Sequence, residues 1–173
     1  MSEPGAAPSV MCCEAVAAAA IERLLARFGL ASCQVVSGAT IPGSYWGAPE
    51  AGLIGKTLFW RPDTPLHSLL HELAHFVCME PARRACLDTD AGGDDQEECA
   101  VCYLEVLLAD RLAPFDGGRC LRDMDAWGYS FREGSARAWF AGDGREAREW
   151  LMRRSLLAED GTPSWRLRRG ERV

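Results

Sequence analysis

The chain has 173 residues, 48% of them hydrophobic, which is long enough for one domain with its own core and too apolar for a disordered chain. Its formal charge of −6 argues against a general nucleic-acid binder, which needs a basic surface. No apolar run approaches membrane-spanning length. No basic stretch precedes the Ala-rich N-terminal segment, which Glu3 and Glu14 interrupt, so a cytoplasmic location is expected and the eight cysteines read as reduced thiols.

In chain order, residues 1–8 read as a loose N-terminus, 9–160 as a single domain and 161–173 as a basic tail. Val10 to Phe28 has helical periodicity and stops at Gly29. Ala31 to Ser37 and Gly52 to Trp60 read as strands, separated by a turn-rich stretch with Pro42, Gly43 and Gly47. Thr64 is placed to cap a helix that begins at Pro65 and ends near Glu80, because Pro81 cannot continue it. A polar loop, Pro81 to Gly93, follows. Asp94 then caps a second long helix reaching about Leu112, with Glu97 as its capping-box partner. Gly117 and Gly118 mark a break, and two or three shorter helices are expected between Leu121 and Leu157. Arg166, Arg168, Arg169 and Arg172 are expected to form a solvated tail.

All three histidines fall between His67 and His75. His71-Glu72-Leu73-Ala74-His75 is an HExxH pattern. Residues four apart on a helix share a face, so two imidazoles at this spacing can grip one metal ion. The intervening glutamate can act as a base on a water that the metal activates. His67 cannot join them, since it lies about 12 Å along the helix axis from His75. The third ligand should therefore be a carboxylate from the cluster Asp94-Asp95-Gln96-Glu97-Glu98. On a helical wheel Glu97 shares a face with Val101, Leu104 and Leu108, and Glu98 lies toward the flank near Glu105. A carboxylate aimed into a core needs a partner, which selects Glu97 as third ligand, with Glu98 as the alternative.

Two His and one Glu suit zinc, with Glu72 as general base for hydrolysis. They also suit iron(II) in oxygen-activating chemistry. The base beside the metal favours hydrolysis of a peptide or amide bond. A protein or peptide substrate is expected, with no nucleic acid and no membrane partner. A non-catalytic, metal-stabilised binding module is the remaining reading.

The HELAH motif followed by a helix-borne glutamate resembles the zincin-like metallopeptidases of the gluzincin type. Glu97-Glu98-Cys99-Ala100-Val101-Cys102-Tyr103-Leu104, ending in Leu107-Leu108, is similar to the third-ligand helix of the ImmA/IrrE metallopeptidases, and that register implies Glu97. A shorter resemblance covers about 20 residues. Ser68, Leu70, His71, Glu72, His75 and Phe76, then Ala82-Arg83-Arg84 and Asp88, resemble the metal-site segment of elongation factor P hydroxylase. That family implies ferrous iron on two His and one Glu and hydroxylation of a modified lysine. Aligned through Glu105, it implies Glu98 as ligand. The chain departs from it after Asp88, where the family's Gly-Tyr-Trp-Tyr stretch is missing. These resemblances imply an α+β, zincin-like fold, a small sheet packed on the HExxH helix and a second long ligand-bearing helix.

Other patterns carry less. Cys99-x-x-Cys102 with Cys78 and Cys86 has the composition of a zinc knuckle but falls inside a predicted helix, so small buried side chains are expected. Asp88 to Asp94 fails the calcium-loop template, with Gly92 at a ligand position. Arg83 and Arg84 are expected to pair with the acids from Asp90 to Asp95, with a substrate carboxylate or phosphate as alternative partner. In Asp123-Met124-Asp125-Ala126-Trp127-Gly128-Tyr129, an Asp could orient a metal-bound His and Tyr129 could donate to a developing oxyanion. The plain alternative is a packed turn with Trp127 in the core.

Overall fold

A computed structural model describes residues 9–170. The loose N-terminus expected for 1–8, and Arg172, lie outside the described residues. The described residues form seven α-helices and a three-stranded mixed sheet, an α+β architecture.

The helix expected from Val10 is shorter: α1 spans Ala18–Ala26. Residues 10–16 instead run along the entry to the next helix. The Cys13 amide donates to the Thr64 carbonyl at 2.8 Å, and the Leu66 amide to Met11 at 2.9 Å. These external partners satisfy backbone groups that a longer helix would have used itself. Strand β1 is Ala31–Gln34, β2 is Gly52–Ile54 and β3 is Thr57–Trp60. The single long strand expected from Gly52 to Trp60 is thus a hairpin, turning at Gly55 with φ 56°. Strand β3 is central, parallel to β1 and antiparallel to β2. Gly52 is required by close approach, because a Cβ there would lie 2.0 Å from the Pro42 carbonyl oxygen. That approach presses residues 42–51 against β2 and sends the connecting loop toward α2.

Helix α2, Leu66–Cys78, carries HELAH. Thr64 does not cap it; its Oγ1 accepts from the Arg61 amide at 2.9 Å. Leu66, Leu69, Leu70, Leu73, Phe76 and Val77 are buried. His67, Ser68, Ala74, His75 and Cys78 are buried as well, so most of the helix circumference is covered and α2 is embedded, packed on β2 and β3 on one side and on the second long helix on another. The loop expected after Pro81 holds a short helix, α3, Pro81–Ala85. Its continuation joins the edge of β2: the Gly55 amide donates to Leu87 at 2.8 Å, and the Thr89 amide to Leu53 at 3.0 Å.

Helix α4, Asp95–Ala109, is capped as expected, with Asp94 accepting from the Glu97 amide at 2.8 Å. The Gly-rich break is instead the first turn of α5, Gly117–Trp127, capped by Asp116. Helices α6, Ala136–Ala141, and α7, Gly144–Arg153, complete the bundle, and α7 packs along α4. The C-terminal segment is not a solvated tail throughout. Arg168 is 6% exposed, and its amide donates to Val77 at 2.9 Å, tying the segment to the end of α2. No described helix is long and apolar enough to cross a membrane. All eight cysteines are free thiols.

Candidate metal centre

The i, i+4 spacing on α2 does what the helix geometry requires: His71 Nε2 and His75 Nε2 stand 3.1 Å apart. The carboxylate that meets them is Glu98. Its Oε2 lies 3.6 Å from His75 Nε2 and 3.9 Å from His71 Nε2. Donor atoms of His71, His75 and Glu98 all fall within 4.8 Å of one another, near enough to hold one metal ion. Two ligands bound to one ion at roughly 2.1 Å stand roughly 3–3.5 Å apart in a tetrahedral site. The histidine nitrogens already have that span, and two imidazoles with one carboxylate are a suitable donor set for a divalent transition metal.

Glu97, the carboxylate favoured from the sequence, goes elsewhere. It is 3% exposed and accepts from Arg83 Nη1 at 2.8 and 2.9 Å and from Arg168 Nη1 at 3.1 Å. The wheel placed it correctly on a buried face. The partner it meets there is a pair of guanidinium groups, one of them supplied from 71 residues downstream. Arg83 also donates to the Gly92 carbonyl at 2.6 Å, and Arg168 to Glu80 at 2.6 Å. Arg84 caps the end of α2 through the Phe76 and Met79 carbonyls. Neither arginine pairs with the acids from Asp90 to Asp95.

The helix turn that brings Glu98 to the histidines also brings Cys102 and Glu105, four and seven residues on. Glu105 is fully buried, and its Oε2 accepts from His71 Nδ1 at 2.6 Å. That bond aims His71 Nε2 at His75 and Glu98, the orientation a ligating histidine needs once that nitrogen gives up its proton. Burial works against a charge on His71, but the Glu105 carboxylate and Cys102 hold its pKa well above the usual imidazole value. Burial pushes His75 well below that value, and the neighbouring His71 adds to the effect. Burial therefore keeps His75 neutral, the charge state in which an imidazole ligates a metal.

Neither Asp123 nor Asp125 orients a histidine. Asp123 accepts from Arg119 Nε at 2.6 Å and from the Met11 amide at 2.8 Å. Asp125 accepts from the Ala136 amide at 2.7 Å. The signal that could have found Glu105 is the polar stripe Glu98, Cys102 and Glu105 along one side of an otherwise apolar helix.

The donors open into a cleft of about 790 Å³. Glu72 is half-buried in its wall, and its Oε2 has no hydrogen-bond partner among the described residues. Burial pushes its carboxyl up to about 7, against the pull of His71. Tyr129 lines the same cleft, its ring centroid 6.0 Å from that of His71, and its hydroxyl lies 3.4 Å from His67 Nδ1. Burial raises the Tyr129 pKa well above the usual phenol value, so it stays a donor. His67 is a buried core residue, held neutral by a pKa lowered by burial to about 3.

Trp127 is not in the core; it lines the cleft and its Nε1 donates to Glu50 at 2.8 Å. Asp90, Ala91 and Gly92 form one rim, and Tyr45 and Trp46 the other. Those two aromatics are 57% and 79% exposed and pack edge to face at 5.0 Å. Cys78, Cys86, Cys99 and Cys102 do not form a cysteine metal cluster among the described residues.

Comparison with protein-family models, with curated proteins and with solved structures finds no match to this chain.

Proposed function

We propose that the chain is a zincin-like hydrolase that uses one divalent ion, zinc, on His71, His75 and Glu98 to cleave a peptide or amide bond in a protein or peptide substrate. The observation that carries this reading is Glu72. Its carboxylate stands in the same cleft as the histidine donors, with an oxygen that has no hydrogen-bond partner among the described residues. An ion bound there would polarise a carbonyl and acidify water. Glu72 then takes the proton of the attacking water at its free oxygen and returns it to the leaving amine. The Tyr129 hydroxyl donates to the oxygen that gains charge. Glu105 keeps His71 in the correct tautomer and orientation through its 2.6 Å bond.

A second reading is favoured by one specific observation. Glu98, not Glu97, stands with the histidines, and Glu98 is the ligand implied by the resemblance to elongation factor P hydroxylase. On that reading the same three residues hold ferrous iron.

Metal content by elemental mass spectrometry, on protein purified without oxygen and beside His71→Ala, separates the two. One zinc per chain that disappears in the variant is expected, together with peptide cleavage that Glu72→Gln abolishes while keeping zinc. Iron with oxygen consumption replaces hydrolysis by hydroxylation. No metal in either sample overturns both readings.

A further inference from the structure

Glu98 reaches the histidines with one of its oxygens and is held by the other. Its Oε2 lies 3.6 Å from His75 Nε2, while its Oε1 accepts from the Gly93 amide at 3.1 Å. The Glu98 side chain is 37% exposed, so packing alone does not fix it. Ordering a free glutamate costs side-chain entropy, and a donor already in place lowers that cost for a ligating carboxylate. Gly93 itself lies on an exposed turn between α3 and α4. A donor there orients Glu98 only if the turn is held.

Arg83 holds it. Its Nη2 donates to the Gly92 carbonyl at 2.6 Å and to the Ala91 carbonyl at 3.2 Å. Its Nη1 donates to both oxygens of Glu97, at 2.8 and 2.9 Å. The Gly92 carbonyl and the Gly93 amide belong to one planar trans peptide unit, whose C=O and N–H point opposite ways. Fixing the carbonyl on Arg83 therefore fixes the amide on the other side, where Glu98 takes it. The guanidinium is itself fixed, because Glu97 is buried and also accepts from Arg168 at 3.1 Å. Asp90 closes the same turn, its side chain accepting from the Gly92 amide at 3.1 Å. A guanidinium suits this double duty, since its donors sit in a rigid fork that can meet a carboxylate and a carbonyl at once. The gripped residues Ala91 and Gly92 also line the cleft.

We propose, resting on the metal centre read above, that Arg83 is a positioning residue for the ligand Glu98: it grips the Gly92–Gly93 peptide so that the Gly93 amide presents Glu98 to His71 and His75. Zinc affinity of the full chain, measured by competition with a chelator, tests it. Arg83→Met should lower that affinity about 10–100-fold, the range for a lost outer partner of a metal ligand. The sign is diagnostic. Arg83 is near enough to His75 for its charge to disfavour a cation there, so by charge alone its removal should raise the affinity for a divalent ion. Arg83→Lys keeps the charge, loses the fork and should also bind zinc more weakly. The Arg83 side chain is 38% exposed, so these variants should fold, which melting curves check. Leu25→Ala, buried on α1, should lower the melting temperature and leave zinc affinity unchanged. Amide exchange on the zinc-free protein reads the clamp itself. The Gly93 amide should be protected in the wild type and exchange at least fivefold faster in Arg83→Met and in Glu98→Ala. Equal or higher zinc affinity in Arg83→Met, wild-type affinity in Arg83→Lys, an equal loss in Leu25→Ala, or an unprotected Gly93 amide in the wild type overturns this role alone. No zinc on the wild-type chain overturns the metal centre and this role with it.

Discussion

Glu97 and Glu98 are adjacent in sequence, sit in the first turn of one helix, and serve different partners. Glu97 faces Arg83 and Arg168 in a buried ion-pair network that joins α3, α4 and the C-terminal segment. Glu98 faces His71 and His75 across a cleft, with its side chain 37% exposed. About 100° of helix rotation separates the two, and with it the difference between a group that holds the fold and one that remains available to a ligand. Burial alone is therefore a poor guide to a ligating carboxylate, because a metal with an open position must lie where substrate can reach it.

The largest test of this contrast is Glu97→Ala. It takes the shared carboxylate from two guanidinium groups, leaving the buried Arg168 with Glu80 as its remaining ionic partner, and should cost about 3–5 kcal/mol in urea unfolding. Glu98→Ala, in the presence of a chelator, should change stability by no more than about 0.5 kcal/mol and should abolish stoichiometric metal binding. If the stability costs came out in the reverse order, the assignment of the two glutamates would be exchanged.

The next effect sharpens the histidine side. Glu105→Gln keeps the shape but weakens the charge-assisted bond to His71 Nδ1, so a competition titration should show metal affinity reduced about 10–100-fold. An unchanged affinity would mean that His71 needs no orienting group.

A smaller effect probes the ion-pair side from outside the pair. A Cβ on Gly93 would lie 2.5 Å from Glu97 Cδ, a carboxylate already held by two arginines. Gly93→Ala should therefore cost about 1–3 kcal/mol in the same unfolding experiment. The smallest effect concerns the rim. Trp46 is exposed, so Trp46→Ala should shift stability by less than about 0.5 kcal/mol. A raised KM with unchanged kcat would assign it to substrate binding.

Much of the architecture was legible where it depends on local chemistry. The Asp94 cap and the start of α4 follow from a side chain and an amide three residues away. The stop of α1 at Gly29 and the end of α2 before Pro81 are local in the same sense. Reading failed where distant segments intervene. Residues 10–16 follow the α2 entry instead of coiling into α1. The tail looked solvated because Arg168 gives no sign in sequence that Glu97 and Glu80 will receive it.

The sequence by itself determined that two imidazoles share one helix face with a glutamate between them, and that an acidic start to a second helix lies close behind. Spacing along a helix decides such facts. Only the tertiary structure decided which carboxylate joins the histidines, that Glu105 rather than Asp123 or Asp125 orients His71, and that Arg83 grips the peptide whose amide bonds Glu98. Those outcomes depend on which face of each helix a neighbour covers, and packing across many residues, not local spacing, sets that.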